Sequence, residues 1–332
     1  MITIKELATL AKVSPTTISN VLHGRTRELS EEKLAKIQQV IISSGYIPNR
    51  AGQALAGNRS RMIGVLMSTE YREQGMIFQE DYHGALIASI ESRIREAGYF
   101  MLLYGASNVN EAVYALRSWQ VDGIIVLESK PADTAQFLSV LTEPTVFIDG
   151  AVSDQTEAIY NITSDDFDGG RQVGRYLLAQ GLSRVAFFAD EEMPFGVDLA
   201  RFQGLKSVSA DSLYFTLSVE KKIRLNQFKQ WISTGNLEKF DALFLSSDYF
   251  ATDILSVLTE MEISVPNQIS VIGYDDGPLA EFAQLSTIKQ DVLGKGKCAV
   301  DLLLAKIEGK EIYENEILLP VQFINRKTVK EK

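Results

Sequence analysis

Beyond residue 61 the chain repeats one pattern: a short uninterrupted apolar run, then an amphipathic stretch of helical period. The runs fall at 62–67, 99–103, 123–127, 145–148, 185–189, 242–245 and 270–273. Helical stripes lie between them, for example at 83–97, 168–180, 197–208, 248–262 and 291–308; Leu86, Ile90 and Ile94 mark the first. Continuous apolar strands are those buried on both faces, and strands alternating with helices pair in parallel. The runs are too many for one comfortable sheet. The pattern therefore predicts an α/β body of two doubly wound parallel sheets forming two lobes.

Ligands of such sheets sit beyond the carboxyl ends of the strands. Asp149, Ser247, Asp248 and Asp275 follow apolar runs directly, and Arg201 opens a helix after the loop at 195–198. Carboxylates and a guanidinium converging on a cleft can hold sugar hydroxyls in pairs. The plainer reading is that each carboxylate caps a helix. Asp248, directly before an apolar helical stripe, is assigned to capping; Asp275 is assigned to ligand binding.

The first sixty residues follow a different rule. Ile4, Leu7, Ala8 and Ala11 share one helical face after Thr3, an N-cap type. Ser14 then suits an N-cap and Pro15 the first helical position, with Ile18, Val21 and Leu22 as the next stripe and Gly24 as its stop. A third stripe of Leu34, Ile37 and Ile41 starts after Ser30 with Glu31 and Glu32 in its first turn, and Gly45 and Pro48 close it. Two short helices separated by so few residues, with a third to bury them, make a helix-turn-helix candidate. The second helix would then face the major groove with Thr16, Thr17, Ser19 and Asn20 on its polar side. A three-helix interaction bundle without DNA has the same pattern.

Charge favours the first reading. The whole chain carries −10, yet residues 1–60 carry +4 and the remainder −14. A basic head on an acidic body is what a chain needs when one small module meets a polyanion. With a single cysteine, Cys298, no intramolecular disulfide can form. The early charges Lys5 and Glu6 interrupt any apolar leader, and no apolar stretch reaches membrane-spanning length, so a cytoplasmic chain is expected.

Residues 2–24, ITIKELATLAKVSPTTISNVLHG, closely resemble the opening of the lactose-repressor/galactose-repressor family of bacterial regulators. Gly45-Tyr-Ile-Pro-Asn and Arg61-Met-Ile-Gly-Val-Leu match in spacing, and blocks at 121–126, 200–205, 269–276 and 285–291 extend the likeness over nearly the whole chain. The resemblance implies base reading by Pro15, Thr16 and Asn20. Pro15 offers only apolar contact, and Asn20 stands where many members carry Arg, which shifts preference from guanine towards adenine. Thr17 is assigned to phosphate or helix surface and His23 to a backbone-facing or exposed loop.

The resemblance also makes 47–60 a hinge helix that folds in the DNA minor groove, with Asn49, Leu55 and Ala56 at the duplex and Leu55 as the wedge. Read from composition alone, this is a polar linker, weakened as a helix by Gly52, in which Leu55 could equally pack on the body. The family's body resembles periplasmic sugar-binding proteins, with two lobes, three crossovers and an effector in the cleft. Arg201 and Asp275 carry over as effector contacts, Asp149 and Ser247 less closely; Ser247 replaces a common Asn, and the loop at 68–79 matches poorly.

Other motifs lead nowhere. Residues 294–299 fit a dinucleotide fingerprint, but the stretch at 291–293 reads as helix, not strand. Cys298 reads as a small core residue, and His83 as a cap or exposed position with pocket contact as the second option. No metal set, nucleophile elbow or phosphate loop is present, so neither enzyme nor cofactor is expected.

The expectation is a homodimeric repressor of a carbohydrate operon. Residues 1–46 form the head, 47–60 the hinge and 61–332 the body, with the first lobe at 61–160 plus 291–320 and the second at 161–290. Its partners are near-palindromic operator DNA and a sugar or sugar phosphate. Regulation by a partner protein, a cytosolic sugar-binding protein and an enzyme with an appended module are the alternatives. No heptad tail follows Arg326, so no added coiled coil is expected.

Overall fold

The computed structural model describes residues 2–22, 25–27, 29–46, 59–68, 81–153 and 159–332. Two compact units divide between residues 58 and 59.

The first unit is built from α1 (Ile4–Ala11), α2 (Pro15–Leu22) and α3 (Glu31–Ser43). Thr3 and Glu6 form a capping box: the Thr3 hydroxyl accepts from the Glu6 N–H at 3.3 Å, and Glu6 accepts from the Thr3 N–H at 2.7 Å. Ser14 caps α2 by accepting from Thr17 N at 3.1 Å. Ser30 caps α3 in the same way. Lys12 turns the chain between α1 and α2 through the left-handed region, at φ 54°. Leu7, Ala8, Ala11, Ile18 and Ile37 make the buried centre, so each of the three sequence stripes supplies part of one core.

The second unit contains two parallel sheets. The first joins β1 (Met62–Ser68), β2 (Phe100–Ala106), β3 (Gly123–Leu127), β4 (Thr145–Ile148), β5 (Asn161–Ser164) and β11 (Glu316–Leu319), in the order β11-β5-β4-β3-β1-β2. On one face lie α4 (Asp81–Glu96) and α12 (Val292–Ile307), which pack Leu86, Ile90, Val300 and Leu303 on Val65 and Ile125. The other face is closed by α5 (Val109–Ser118) and α6 (Pro131–Val140) through Val113, Leu116 and Phe137.

The second sheet has the order β7-β6-β8-β9, from β6 (Val185–Ala189), β7 (Leu213–Thr216), β8 (Ala242–Leu245) and β9 (Ser270–Ile272). Here α7 (Asp166–Ala179) and α8 (Gly196–Lys206) cover one face, and α9 (Lys221–Ser233) and α10 (Asp248–Glu260) the other. The short α11 (Pro278–Ala283) follows, and an antiparallel pair, β10 (Thr287–Lys289) with β12 (Gln322–Ile324), completes this lobe.

The two-lobed, doubly wound body is as expected, but the lobe boundaries differ. Residues 161–164 were assigned to the second lobe; they form β5, hydrogen-bonded between β4 and β11 of the first sheet. Residues 321–332 belong to the second lobe, where Val321, Phe323 and Val329 pack with Val173 and Ile272. The chain therefore crosses between lobes after β5, after β10 and after β11. Among the described residues no helix is long and apolar enough to cross a membrane.

Candidate functional site

Two surfaces concern function. On the head, Pro15 and Thr16 are exposed at the start of α2, and Asn20 is half-buried one turn on. Thr17 is held back: its hydroxyl lies 2.9 Å from the Ser14 hydroxyl, inside the α2 cap. His23, Asn49, Leu55 and Ala56 lie outside the described residues, as does the stretch at 69–80.

In the body, a cavity opens at the carboxyl ends of strands from both sheets. Glu128 follows β3 and Asp149 follows β4; Asp190 follows β6, and Ser246 and Ser247 follow β8. The strand order reverses at β1/β3 in the first sheet and at β6/β8 in the second, and such a switch point is the ordinary place for a ligand in doubly wound folds. Asp149 and Asp275 turn through positive φ, 53° and 126°, as does Glu128 at 51°. Such turns aim side chains off a strand end into the gap at some conformational cost.

The structure brings all four predicted effector residues to this cavity. Asp149 is paired with Lys295, whose Nζ donates to its carboxylate at 2.9 and 3.0 Å. Tyr82 Oη donates to the same carboxylate at 2.7 Å. Burial would raise Asp149, but the Lys295 ammonium and the hydrogen bonds from Lys295 and Tyr82 hold its carboxyl below the ordinary range. Lys295 Nζ also donates to Gln290 Oε1 at 3.1 Å, and Gln290 Nε2 donates to Asp275 Oδ1 at 2.6 Å. Two predicted contacts from different lobes are thus the ends of one chain, Asp149–Lys295–Gln290–Asp275. Burial pushes the Asp275 carboxyl up to about 6, against the pull of Arg201 and the Gln290 amide.

Arg201 is not at the helix start; α8 begins at Gly196 and places it in the second turn. It is buried, donates from Nε to Asp166 at 2.8 Å and from an Nη to the Ser246 carbonyl at 2.6 Å, and stacks 3.7 Å above the Tyr274 ring. The close approach of α7 and α8 fixes it there. A Cβ on Gly170 would lie 1.9 Å from the Arg201 carbonyl oxygen, and one on Gly204 would lie 1.9 Å from that of Phe167. Only glycines let these two backbones meet.

Two sequence assignments are corrected here. Ser247, not Asp248, caps α10, accepting from Phe250 N at 3.2 Å. This leaves the Ser247 hydroxyl partly committed to its helix. Asp248 is instead buried, accepting from the Thr287 hydroxyl at 2.6 Å and from Gly277 N at 3.1 Å; burial and then the Asp275 charge raise its carboxyl well above the ordinary range. His83 is neither a cap nor exposed: it is buried at the cavity wall with Nε2 2.9 Å from Glu128. Lys295 was missed. It sits inside the fingerprint-like stretch 294–299, which is the interior of α12 capped by Asp291 and offers no phosphate loop.

Comparison with known proteins finds relatives for the head and for the body. Residues 3–49 match the model for bacterial regulatory proteins of the lacI family, and residues 175–329 match a periplasmic binding protein-like domain. The chain is 28% identical over 330 residues to the sucrose operon repressor of Streptococcus mutans, covering 98% of each. It is 28% identical over 358 residues to the HTH-type transcriptional repressor PurR of Vibrio vulnificus, covering 99% of each. Among solved structures, the lac repressor dimer bound to operator and the anti-inducer ONPF superposes with a TM-score of 0.82 at 27% identity, covering 98% of both chains. A helix-turn-helix head joined to a two-lobed periplasmic-binding-like body defines a DNA-binding transcriptional regulator. Its head matches the lacI family of bacterial regulatory proteins, and the chain as a whole is similar to repressors with that head.

Proposed function

We propose that this protein is a homodimeric repressor of a carbohydrate-utilisation operon, released from or fixed to its operator by a polyol bound between the lobes. The observation that carries the reading is the cavity itself. It joins the strand ends of two lobes and sets Asp149, Arg201 and Asp275 around one space. A ligand there contacts both lobes and so has different affinities for different lobe arrangements, which is the condition for it to shift them. Coupling of this kind is typically ~1–3 kcal/mol.

In this reading residues 1–46 form the head, 47–60 the hinge and 61–332 the body. Pro15, Thr16 and Asn20 read bases in the major groove, Thr17 and His23 attend the backbone, and Asn49, Leu55 and Ala56 meet the central minor groove of a near-palindromic site. The protein binds its effector without converting it and works in the cytoplasm beside DNA. The relatives support this: the sucrose operon repressor and PurR are repressors, and the lac repressor structure is a dimer on operator with a ligand.

The test is selection of bound duplexes from a random pool by the full chain, followed by gel shifts with and without a panel of sugars. An enriched palindrome whose affinity changes with one sugar supports the reading. Equal weak binding of every duplex sinks it.

A further inference from the structure

The chain ties the two lobes together along one side. Its crossings leave from β5, β10 and β11. Strands β5 and β11 are neighbours at one margin of the first sheet, and β10 bridges to the turn after β9 at the margin of the second. Lys130 follows β3 and Glu191 follows β6, each two strands in from those margins, or about 10 Å at the ordinary strand spacing. Away from the crossings, then, Lys130 Nζ of the first lobe lies 2.9 Å from Glu191 Oε1 of the second. Among the described residues this is the one ion pair that joins the lobes, and both residues line the cavity.

Both ends are anchored. On the first lobe, the Lys130 carbonyl accepts from Thr134 N at 2.9 Å and from the Thr134 hydroxyl at 3.1 Å, and the Ser129 carbonyl accepts from Ala151 N at 2.9 Å. On the second, the Glu191 carbonyl accepts from the Tyr214 hydroxyl at 2.6 Å, which fastens this turn to β7. The lobes are close on this side: a Cβ on Gly196 would lie 3.4 Å from the Ala151 Cβ, and Lys130 Nζ lies 6.0 Å from the Phe195 ring centre. Fixed backbone turns thus carry two side chains that are free to part. Each of the two side chains is 34% exposed. A pair so exposed shifts an equilibrium by about fivefold at most, and salt weakens it. A buried pair would lock the lobes, whereas a hold of this size yields to a ligand that prefers another arrangement.

We infer that Lys130 and Glu191 form a clasp that holds the lobes together on the side away from the crossings and parts when a ligand enters or leaves. What the clasp is for rests on the cavity being the effector site; whether it holds the lobes does not.

The experiment measures lobe separation in the full-length protein by pulsed electron spin resonance, with no sugar or DNA added. Nitroxides are placed on Ser139→Cys in α6 and Gln203→Cys in α8, both exposed, in a Cys298→Ser background. Labelled chain is diluted into excess unlabelled chain, so each measured pair lies within one molecule. Lys130→Glu and Glu191→Lys should each raise the population at longer separation severalfold, because repulsion replaces attraction. The double reversal should return most of it. NaCl at about 1 M, where the screening length is about 3 Å, should lengthen the separation more in wild type than in Lys130→Met. Unchanged separations in the single reversals overturn the inference, as does a double reversal as open as either single, or an equal salt response in Lys130→Met. Each variant is first checked for a cooperative melt, and Lys130→Met, which only removes the pair, serves if a reversed charge prevents folding. Failure of the effector reading would appear elsewhere, as operator affinity that no sugar moves.

Discussion

Lys295 Nζ lies 2.9 Å from Asp149 Oδ2, and both side chains are almost fully buried, the lysine 1% and the aspartate 5% exposed. The pair joins α12 to the end of β4 at the cavity wall. Removing one member strands the other charge away from water, which costs ~3–5 kcal/mol, whereas replacing both with apolar groups can be nearly neutral. Lys295→Met should therefore lower urea stability by about that amount, and adding Asp149→Leu should restore much of it. A single variant as stable as wild type would show that the charge reaches solvent.

Asp198 makes stability depend on pH. Its carboxyl faces Arg201, Asp190, Asp166 and Glu128, and burial pushes it up to about 7. An unfolded aspartate titrates near about 3.9, so the folded state binds the extra proton between those values. Its contribution to stability then falls as pH rises across that window. Asp198→Asn cannot lose a proton, so its melting temperature should gain on wild type from pH 5 to pH 8. A constant gap would mean that Asp198 titrates alike in both states.

Gly204 tests whether the α7–α8 contact sets the cavity. Gly204→Ala forces a Cβ against the Phe167 carbonyl, and such overpacking costs ~1–3 kcal/mol. It should also weaken the effector, because Arg201 rides on the displaced helix. Gly84 is the control: it lies in α4 with nothing within 4 Å of an added Cβ. Gly84→Ala should be neutral or stabilise by up to ~1 kcal/mol through helix propensity. Equal behaviour of the two variants would remove the packing argument.

On the head, Asn20→Ala should cost ~1–3 kcal/mol of operator binding and relax preference at one base pair per half-site, read by selection from a randomised operator. Uniform weakening on every sequence would assign Asn20 to phosphate.

The head was legible because its signals are local. Thr3, Ser14 and Ser30 cap the helices they precede, and the stripe residues meet in one core. The buried strands were legible as apolar runs. Strands β7 and β11 were not: their apolar runs at 213–215 and 317–319 are short, and Leu213 and Leu318 lie exposed on edge strands. Strand β5 is buried but polar, and Asn161 spends its amide on the Gly150 backbone. The cavity was half legible. Carboxylates after apolar runs pointed to it, whereas Lys295, His83 and Gln290 arrive from helices and crossings far away in sequence. Arg201 looked like a free ligand contact; its bond to buried Asp166 makes it part of the wall too, so Arg201→Ala would disturb the lobe as well as the effector.

The threefold crossing has a consequence for synthesis. Strand β11 closes the first sheet and β12 the pair beside the second, so both lobes wait for strands translated after all their others. The head needs only the opening segment and can fold while the rest is still being translated, as domains near the start of a nascent chain generally do. Each new molecule should pass through an interval in which it can meet the chromosome before it can sense a metabolite.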